Sequence, residues 1–358
     1  MNEKVSKLEL DGGREVIDVD EMTDFVSDLL KTIGCHDDIA QIVAEHLVEA
    51  NLSGVESHGV MRVMQYVDQF ERRYMRAEGR PELGQNKHSA WFVDGCRGIG
   101  IPAMIMAMEH GCAAAKEHGV SATAVVNCGH TGRLGAYSEL GATQKCLSII
   151  VGGGNRKDWP MVAPYGGKKG LLPTNPYAFG IPGGARGPVI LDFATSKIAG
   201  GWIYAAKSAG ALLPDGTVID SEGNPTRQPD GYFNGGAILP SGGPKGYGLA
   251  LMAELIGEAM LGPVTGEINW MVLCVDMERY NDAHTFQRIA EEILIDIRAC
   301  PPAPGFEKVQ VPGERERDNR RATTALGVAL PERTWCQMQA LAERLRKGGK
   351  GMEENTEL

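Results

Sequence analysis

The stretch Asn127-Cys128-Gly129-His130-Thr131-Gly132-Arg133-Leu134-Gly135 decides the fold class. It follows a β-branched segment, 122–126, and precedes a helical pattern, which is the strand, glycine-rich turn and helix order of a Rossmann dinucleotide site. The glycine spacing, however, is Gly-x-x-Gly-x-x-Gly instead of Gly-x-Gly-x-x-Gly, and the next predicted strand, 147–151, ends in glycines with no acid placed to bind a ribose. The pattern therefore argues against a Rossmann site.

A second stretch, residues 51–63, is the candidate centre of the chemistry and reads Asn-Leu-Ser-Gly-Val-Glu-Ser-His-Gly-Val-Met-Arg-Val. If a helix begins near Ser57, His58 and Arg62 lie on one face of it, about one turn apart. Arginine holds a carboxylate through two parallel hydrogen bonds, and histidine donates a proton near neutral pH. Reduction of a 2-oxo acid requires this pair of groups. The spacing alone also fits an exposed, polar helix face.

Composition and charge exclude several classes of function. The chain has 358 residues and a net charge of −10, which argues against a nucleic-acid or anionic-membrane partner. Its eight cysteines form no Cys-x-x-Cys pair and no zinc-like cluster, so no metal site is predicted and the thiols are expected to be reduced. With no apolar run long enough to span a membrane, these features predict a cytoplasmic protein.

Two later segments carry further candidate residues. A predicted buried strand, 188–193, delivers Asp192 to its end. A glycine-rich segment, 241–248, places Lys245 before an apolar helix, where backbone N–H groups and an ammonium can hold a phosphate. A structural turn with a solvated lysine explains the second pattern equally well.

Several separated stretches together resemble one family, the non-Rossmann malate/L-lactate dehydrogenase family, which includes 2,3-diketogulonate reductase, ureidoglycolate, sulfolactate and hydroxycarboxylate dehydrogenases and piperideine-2-carboxylate reductase. The stretches that carry the resemblance are spread over most of the chain and keep the family's order. They are Ser57-His58-Gly59 with Arg62, Asn127 to Gly135, Thr174-Asn175-Pro176, Asp192 to Ser196, Lys245-Gly246-Tyr247-Gly248, and Pro312-Gly313-Glu314.

The resemblance implies an L-sulfolactate dehydrogenase-like α/β fold, with a mixed sheet, flanking helices and helical N- and C-terminal parts. It also implies a homodimer that uses NADH or NADPH. The expected division is a helical catalytic part, 1–120 plus 300–346, a cofactor-binding α/β part, 121–299, and a disordered tail, 347–358.

The resemblance also implies roles for particular residues. His58 is the implied proton donor and Arg62 the carboxylate anchor, while Ser57 and Asp192 are expected to tune His58. The implied substrate pocket includes His130, Thr174, Asn175 and Pro176. The implied cofactor contacts are Pro188, Val189, Ile190, Leu191, Asp192, Phe193 and Ala194, then Pro244 and Lys245, then Gly313, Glu314 and Arg315.

The expected reaction is hydride transfer between NAD(P)H and a small 2-oxo acid, giving a 2-hydroxy acid. Two alternatives stay open: a reductase of cyclic imines such as piperideine- or pyrroline-2-carboxylate, and a binding protein that keeps the fold without turnover. One departure bears on this choice. Between Leu261 and Trp270 the chain has only a short connection, where the family usually carries a longer loop.

Overall fold

The computed structural model describes residues 13–353, which form twelve β-strands and eleven α-helices. The strands are β1 (Arg14–Ile17), β2 (Glu82–Gln85), β3 (Trp91–Asp94), β4 (Val120–Val126), β5 (Cys146–Gly153), β6 (Pro176–Ile181), β7 (Val189–Ala194), β8 (Val218–Ile219), β9 (Pro225–Thr226), β10 (Ala237–Ile238), β11 (Asn269–Asp276) and β12 (Val328–Pro331). The helices are α1 (Val19–Thr32), α2 (Asp37–Leu52), α3 (Arg62–Glu71), α4 (Gly100–His118), α5 (Leu134–Thr143), α6 (Gly200–Ala209), α7 (Pro229–Phe233), α8 (Pro244–Glu254), α9 (Ala283–Ala299), α10 (Glu314–Thr323) and α11 (Glu332–Glu353).

The central element is a seven-stranded sheet with the order β2-β3-β4-β11-β5-β6-β7. Strands β3 and β4 pair in parallel, and the other neighbouring pairs are antiparallel. Strand β11 lies between β4 and β5, so the strands on either side of the glycine-rich turn and α5 do not pair with each other as in a Rossmann βαβ unit. The predicted non-Rossmann α/β fold with a mixed sheet is confirmed.

Alternation along β5 gives the sheet two apolar faces. Ile150 is fully buried in a cluster with residues of α4 and α5. Its neighbours Ile149 and Val151 point to the other face and pack with Ala253 of α8 and Ile256 of the π-helical turn Leu255–Met260 that continues it. Helices therefore cover both faces of the sheet.

The helical part is built from both ends of the described chain. Strand β1 pairs with β12, and the two share an apolar core with α1, α2, α3 and α11. The Asp18 carboxylate caps α1 by accepting hydrogen bonds from the N–H groups of Asp20 (2.9 Å) and Glu21 (3.2 Å). A third, smaller core packs α6 against the three-stranded sheet of order β10-β8-β9. Among residues 13–353, no helix is long and apolar enough to cross a membrane.

Three details differ from the sequence-based expectations. Strand β7 is not fully buried: it forms the edge of the sheet, and Leu191 and Asp192 are exposed. Helix α11 continues through the predicted start of the tail at Lys347 to Glu353, and a Glu343–Lys347 ion pair one turn apart spans that point. Residues 354–358 of the predicted tail lie outside the described residues. The strands β2 and β3 join the large sheet from before residue 120, and the domain division itself stays a prediction.

Close backbone packing between β5 and the π-helical turn predicts a position where only glycine fits. A Cβ atom on Gly257 would lie 2.1 Å from the carbonyl carbon of Gly153. Gly257→Ala should therefore lower the free energy of unfolding by about 1–3 kcal/mol, as overpacking does. In the same helical run, Gly248 has open space around its Cβ position, so Gly248→Ala should be neutral or stabilise by about 0.5–1 kcal/mol. Urea unfolding midpoints measure both, and equal midpoints would contradict this packing argument.

Candidate active site

His58 lies in a short 3-10 turn, Glu56–His58, immediately after α2. The Asn51 side chain holds the chain after this turn by accepting a hydrogen bond from the Val60 N–H group at 2.7 Å. A Cβ atom on Gly59 would lie 1.9 Å from that same side-chain oxygen, so this position requires glycine. The Ser57 hydroxyl lies 3.0 Å from Nδ1 of His58, which confirms the expected contact between these two residues.

Arg62 approaches His58 in a different way from the sequence prediction. The predicted helix starting near Ser57 does not form, because the 3-10 turn ends at Gly59 and α3 begins only at Arg62. The Nε atom of Arg62 donates to the carbonyl oxygen of Ser57 at 2.6 Å, and its Nη1 atom donates to Gln65. Its Nη2 atom lies 3.9 Å from the position that a Cβ on Gly201 would occupy, so the start of α6 lies beside it. In the described part of the chain, no carboxylate forms an ion pair with Arg62.

His130 lies beside His58 with its ring nearly parallel. The ring centroids are 5.4 Å apart with an interplanar angle of 25°. The Nδ1 atom of His130 accepts hydrogen bonds from the Tyr66 hydroxyl at 2.8 Å and the Gly132 N–H at 3.2 Å. Because both partners donate to Nδ1, the proton of the neutral ring lies on Nε2.

Both histidines are neutral when no substrate is present. Burial and, secondarily, the charge of Arg62 lower the pKa of His58 to about 3. The same two causes hold the pKa of His130 well below its ordinary value. Both side chains retain partial access to solvent, so they line a narrow recess in which surrounding protein replaces most of the water. The recess presents a positive guanidinium and two neutral imidazoles.

The glycine-rich turn is fixed by buried polar contacts. The Arg133 side chain is 2% exposed and forms ion pairs with Glu49 of α2 (3.0 Å) and Glu139 of α5 (3.4 Å). The N–H group of Arg133 donates to Nε2 of His46 at 2.9 Å. Burial lowers the pKa of His46 to about 4, so this imidazole stays neutral and accepts the hydrogen bond. The turn thus positions His130 by contacts with α2 and α5.

Asp192 occupies the place that a phosphate takes in a Rossmann turn. Its carboxylate accepts a hydrogen bond from the Gly135 N–H at the start of α5, at 2.7 Å. Surrounding protein raises the pKa of Asp192, while this bond and the nearby Arg133 oppose the rise. The structure shows no hydrogen bond between Asp192 and His58 in the described residues. The expected tuning of His58 by Asp192 has no direct contact to support it and stays a prediction.

The three stretches predicted to bind the cofactor come together along the edge strand β7. At one end, the Pro188 carbonyl accepts from Arg317 at 2.7 Å, and the Ile190 N–H donates to Pro312 at 3.2 Å. At the other end, the Thr195 carbonyl accepts from the Ser241 N–H at 2.8 Å. The strand therefore connects the start of α10 with the start of α8.

The individual residues in these stretches differ in how free they are. Pro244 and Lys245 are exposed at the start of α8. Gly313 precedes α10 with a φ of 86°, which favours glycine. The Glu314 carboxylate is already engaged by Arg298 (2.7 Å) and by the Val311 N–H (3.0 Å), whereas Arg315 is exposed beside Glu316. Glu314 supports the start of α10 through its side chain.

The predicted pocket residues Thr174, Asn175 and Pro176 lie at the start of β6 with mainly supporting contacts. The Thr174 carbonyl accepts from the N–H group of Thr195 at 3.0 Å. Asn175 is fully buried and donates to Glu254 at 2.6 Å. These contacts hold β6, β7 and α8 together and do not place the Asn175 side chain on a solvent-accessible surface.

Sequence reasoning missed Tyr66, Gln69 and Gly201. Tyr66 and Gln69 follow Arg62 by four and seven residues, so the three share one face of α3, and this spacing was a usable signal. Gly201 had none, because its place beside Arg62 arises from contact between distant segments.

Comparison with known proteins agrees with this arrangement. A family model described as malate/L-lactate dehydrogenase matches residues 17–339. The malate dehydrogenase of Pyrococcus abyssi is 30% identical over 352 residues, which cover 93% of this chain and 95% of that protein. The Pseudomonas putida protein named Delta(1)-pyrroline-2-carboxylate/Delta(1)-piperideine-2-carboxylate reductase is 28% identical over 338 residues, covering 91% and 95%. The sulfolactate dehydrogenase structure from Methanocaldococcus jannaschii superposes with a TM-score of 0.81 at 30% identity, covering 92% and 97%. The chain belongs to the malate/L-lactate dehydrogenase family.

Proposed function

We propose that this protein is an oxidoreductase that transfers a hydride between NADH or NADPH and a small 2-oxo acid, giving a 2-hydroxy acid. The observation that carries this proposal is the recess formed by His58, His130 and Arg62. It combines a guanidinium without a carboxylate partner in the described chain and an imidazole whose Nδ1 atom is engaged by Ser57. A carboxylate anchor next to a proton donor suits a carbonyl adjacent to a carboxylate.

Arg62 holds the substrate carboxylate in this proposal. Two of its nitrogen atoms are fixed by Ser57 and Gln65, so the guanidinium is oriented before substrate arrives. The remaining Nη2 atom faces the start of α6 near Gly201. The positive end of that helix adds to the attraction for an anion.

His58 gives the proton to the substrate oxygen through Nε2, the ring nitrogen that Ser57 does not contact. In the empty recess, Arg62 contributes to the low pKa of His58. A substrate carboxylate on Arg62 would offset that positive charge and raise the pKa of His58. Substrate and proton therefore enter together.

The edge strand β7 and the starts of α8 and α10 are suited to hold the cofactor. Leu191 and Asp192 present an exposed strand surface, Lys245 offers a positive charge, and Gly243 and Gly313 let the backbone approach a ligand closely with φ values of 59° and 86°. The bound nicotinamide would supply the hydride to the substrate carbonyl carbon. Asp192 and the Gly135 N–H connect this surface to the turn that carries His130.

Reduction of a cyclic imine is the second candidate. A C=N group next to a carboxylate needs the same anchor and the same hydride, and the Pseudomonas putida relative is named for this type of substrate. Purified protein offered NADH and NADPH separately, against panels of 2-oxo acids and cyclic imino acids, distinguishes the two by the loss of absorbance at 340 nm. Cofactor binding without turnover on either panel would refute both candidates.

We also propose a homodimer in a reducing, cytoplasmic compartment. Exposed apolar residues cluster on α8 and the π-helical turn, including Leu255 and Met260, and on α9, including Ile293 and Ile297. Such surfaces are typical of protein interfaces. All eight cysteines are free thiols, which fits a reducing compartment. Sedimentation equilibrium showing only monomer at micromolar concentration would contradict the dimer.

Replacing His58 should abolish most turnover. His58→Ala is expected to reduce kcat by about a hundredfold or more, because general acid catalysis is lost, while cofactor binding measured by NADH fluorescence is unchanged. His88 is exposed outside the recess, so His88→Ala is the matched control and should keep wild-type kcat. Turnover of His58→Ala within twofold of the wild type would remove His58 from the mechanism.

Replacing Arg62 should mainly weaken substrate binding. Arg62→Ala is expected to raise KM for the 2-oxo acid by about 10- to 100-fold, the loss expected for a charged hydrogen bond. Arg72, at the other end of α3, is exposed and pairs with Asp68 at 3.0 Å, so Arg72→Ala should leave KM unchanged. An equal change in both variants would show that Arg62 does not bind the carboxylate.

The pH profile of reduction tests the proton donor. A free-enzyme pKa of about 3 for His58 means that its protonated form is scarce at higher pH and declines as pH rises. The value of kcat/KM, which reports the free enzyme, should therefore fall about tenfold per pH unit from about pH 5.5 to 8. A donor with an ordinary histidine pKa would instead give a plateau below about pH 6.5. Observing that plateau would contradict the assignment.

A further inference from the structure

The short connection between α8 and β11 positions a carboxylate, Glu267, close to α3. The Glu267 N–H donates to the carbonyl of Cys128 at 3.0 Å, and Asn155 donates to the carbonyl of Glu267 at 2.8 Å. A Cβ atom on the preceding Gly266 would lie 2.1 Å from the Cys128 carbonyl oxygen, so this close approach requires glycine. The backbone that carries Glu267 is therefore tied to the end of the glycine-rich turn.

The Glu267 side chain meets the same face of α3 that carries Arg62. Its Oε1 atom accepts a hydrogen bond from Gln69 at 3.2 Å, which is the only hydrogen bond of this carboxylate within residues 13–353. Arg62, Tyr66 and Gln69 follow one another along that face, and Tyr66 holds His130. Seven residues of helix separate the levels of Arg62 and Gln69 by on the order of 10 Å. A small substrate fits between the guanidinium and the carboxylate, with the histidines alongside.

The electrostatics of Glu267 fit a position in this recess. Its side chain is partly exposed, yet burial by surrounding protein raises its pKa, while Gln69 and Arg62 act in the opposite direction. Across the recess, Arg62 supplies one unpaired positive charge, enough for one substrate carboxylate. A second anionic group on the substrate would approach a carboxylate and find no cation of its own.

We propose that Glu267 is a specificity-determining residue that favours 2-oxo or 2-imino acids with a single anionic group. It disfavours acids with a second carboxylate or a sulfonate, and it attracts a positive charge or hydrogen-bond donor on the side away from the carboxylate. A protonated cyclic imine carries such a charge. This inference rests on the proposed function, because it concerns the same recess and the same hydride transfer.

The test compares substrate ratios in Glu267→Gln and in the wild type. Substrates are pyruvate with one anionic group, oxaloacetate with two, and piperideine-2-carboxylate with a protonated C=N group. In Glu267→Gln, kcat/KM for oxaloacetate relative to pyruvate should rise about tenfold, because a like-charge contact is removed. The same ratio for the cyclic imine should fall about tenfold.

Controls separate this inference from the proposed function. Glu258, at the π-helical turn, pairs with Arg156 at 3.2 Å, so Glu258→Gln makes the same change in net charge and should alter neither ratio. Unchanged ratios in Glu267→Gln, or an equal loss on all three substrates, would overturn the inference and leave the proposed function standing. A wild type that turns over none of the three would refute both.

Inhibition of the wild type gives a measurement that needs no variant. Malonate has two carboxylates, whereas oxamate has one carboxylate and an amide that donates hydrogen bonds. Malonate should compete with pyruvate at least about tenfold more weakly than oxamate does. Equal or stronger inhibition by malonate would overturn the role of Glu267.

Discussion

The buried guanidinium of Arg133 is the interaction on which the rest of the site depends. A charge with 2% of its side chain exposed is stable only when it is paired and hydrogen-bonded, and Glu49 and Glu139 provide the pairing. Arg320 of α10 joins the same two carboxylates. The network thereby fixes the glycine-rich turn against α2, α5 and α10. His130 takes its position from this anchored turn and from Tyr66.

This anchoring explains why a strand, glycine-rich turn and helix do not form a dinucleotide site here. In a Rossmann turn the free N–H groups at the helix start bind a pyrophosphate. Here the Gly135 N–H is bonded to the protein's own Asp192, and the Arg133 N–H is bonded to His46. The turn has exchanged an external anion for internal partners. Its glycine pattern therefore serves packing and the placement of a histidine.

The sequence predicted much of the fold and part of the site. Helices α1 and α2 were predictable because their apolar residues recur at helical spacing, and the absence of a ribose acid correctly argued against a Rossmann fold. The relation between His58 and Arg62 was predicted as one helix face and is instead a 3-10 turn followed by a new helix. Helical spacing does not reveal that Asn51 stabilises a break at Gly59. The Gln69–Glu267 contact spans 198 residues, and no local pattern encodes such a distance.

The charges in the recess link binding to chemistry. With His58 and His130 neutral and Arg62 unpaired in the described chain, the empty recess favours an anion over a neutral ligand. The same anion offsets the positive charge that helps to hold the pKa of His58 near 3, so the substrate's own carboxylate helps to create the proton donor. A substrate lacking that carboxylate would lose its anchor and would also meet an unprotonated histidine. Interaction energy gained at Arg62 is thus expressed at the reacting oxygen, which is the differential stabilisation that catalysis requires.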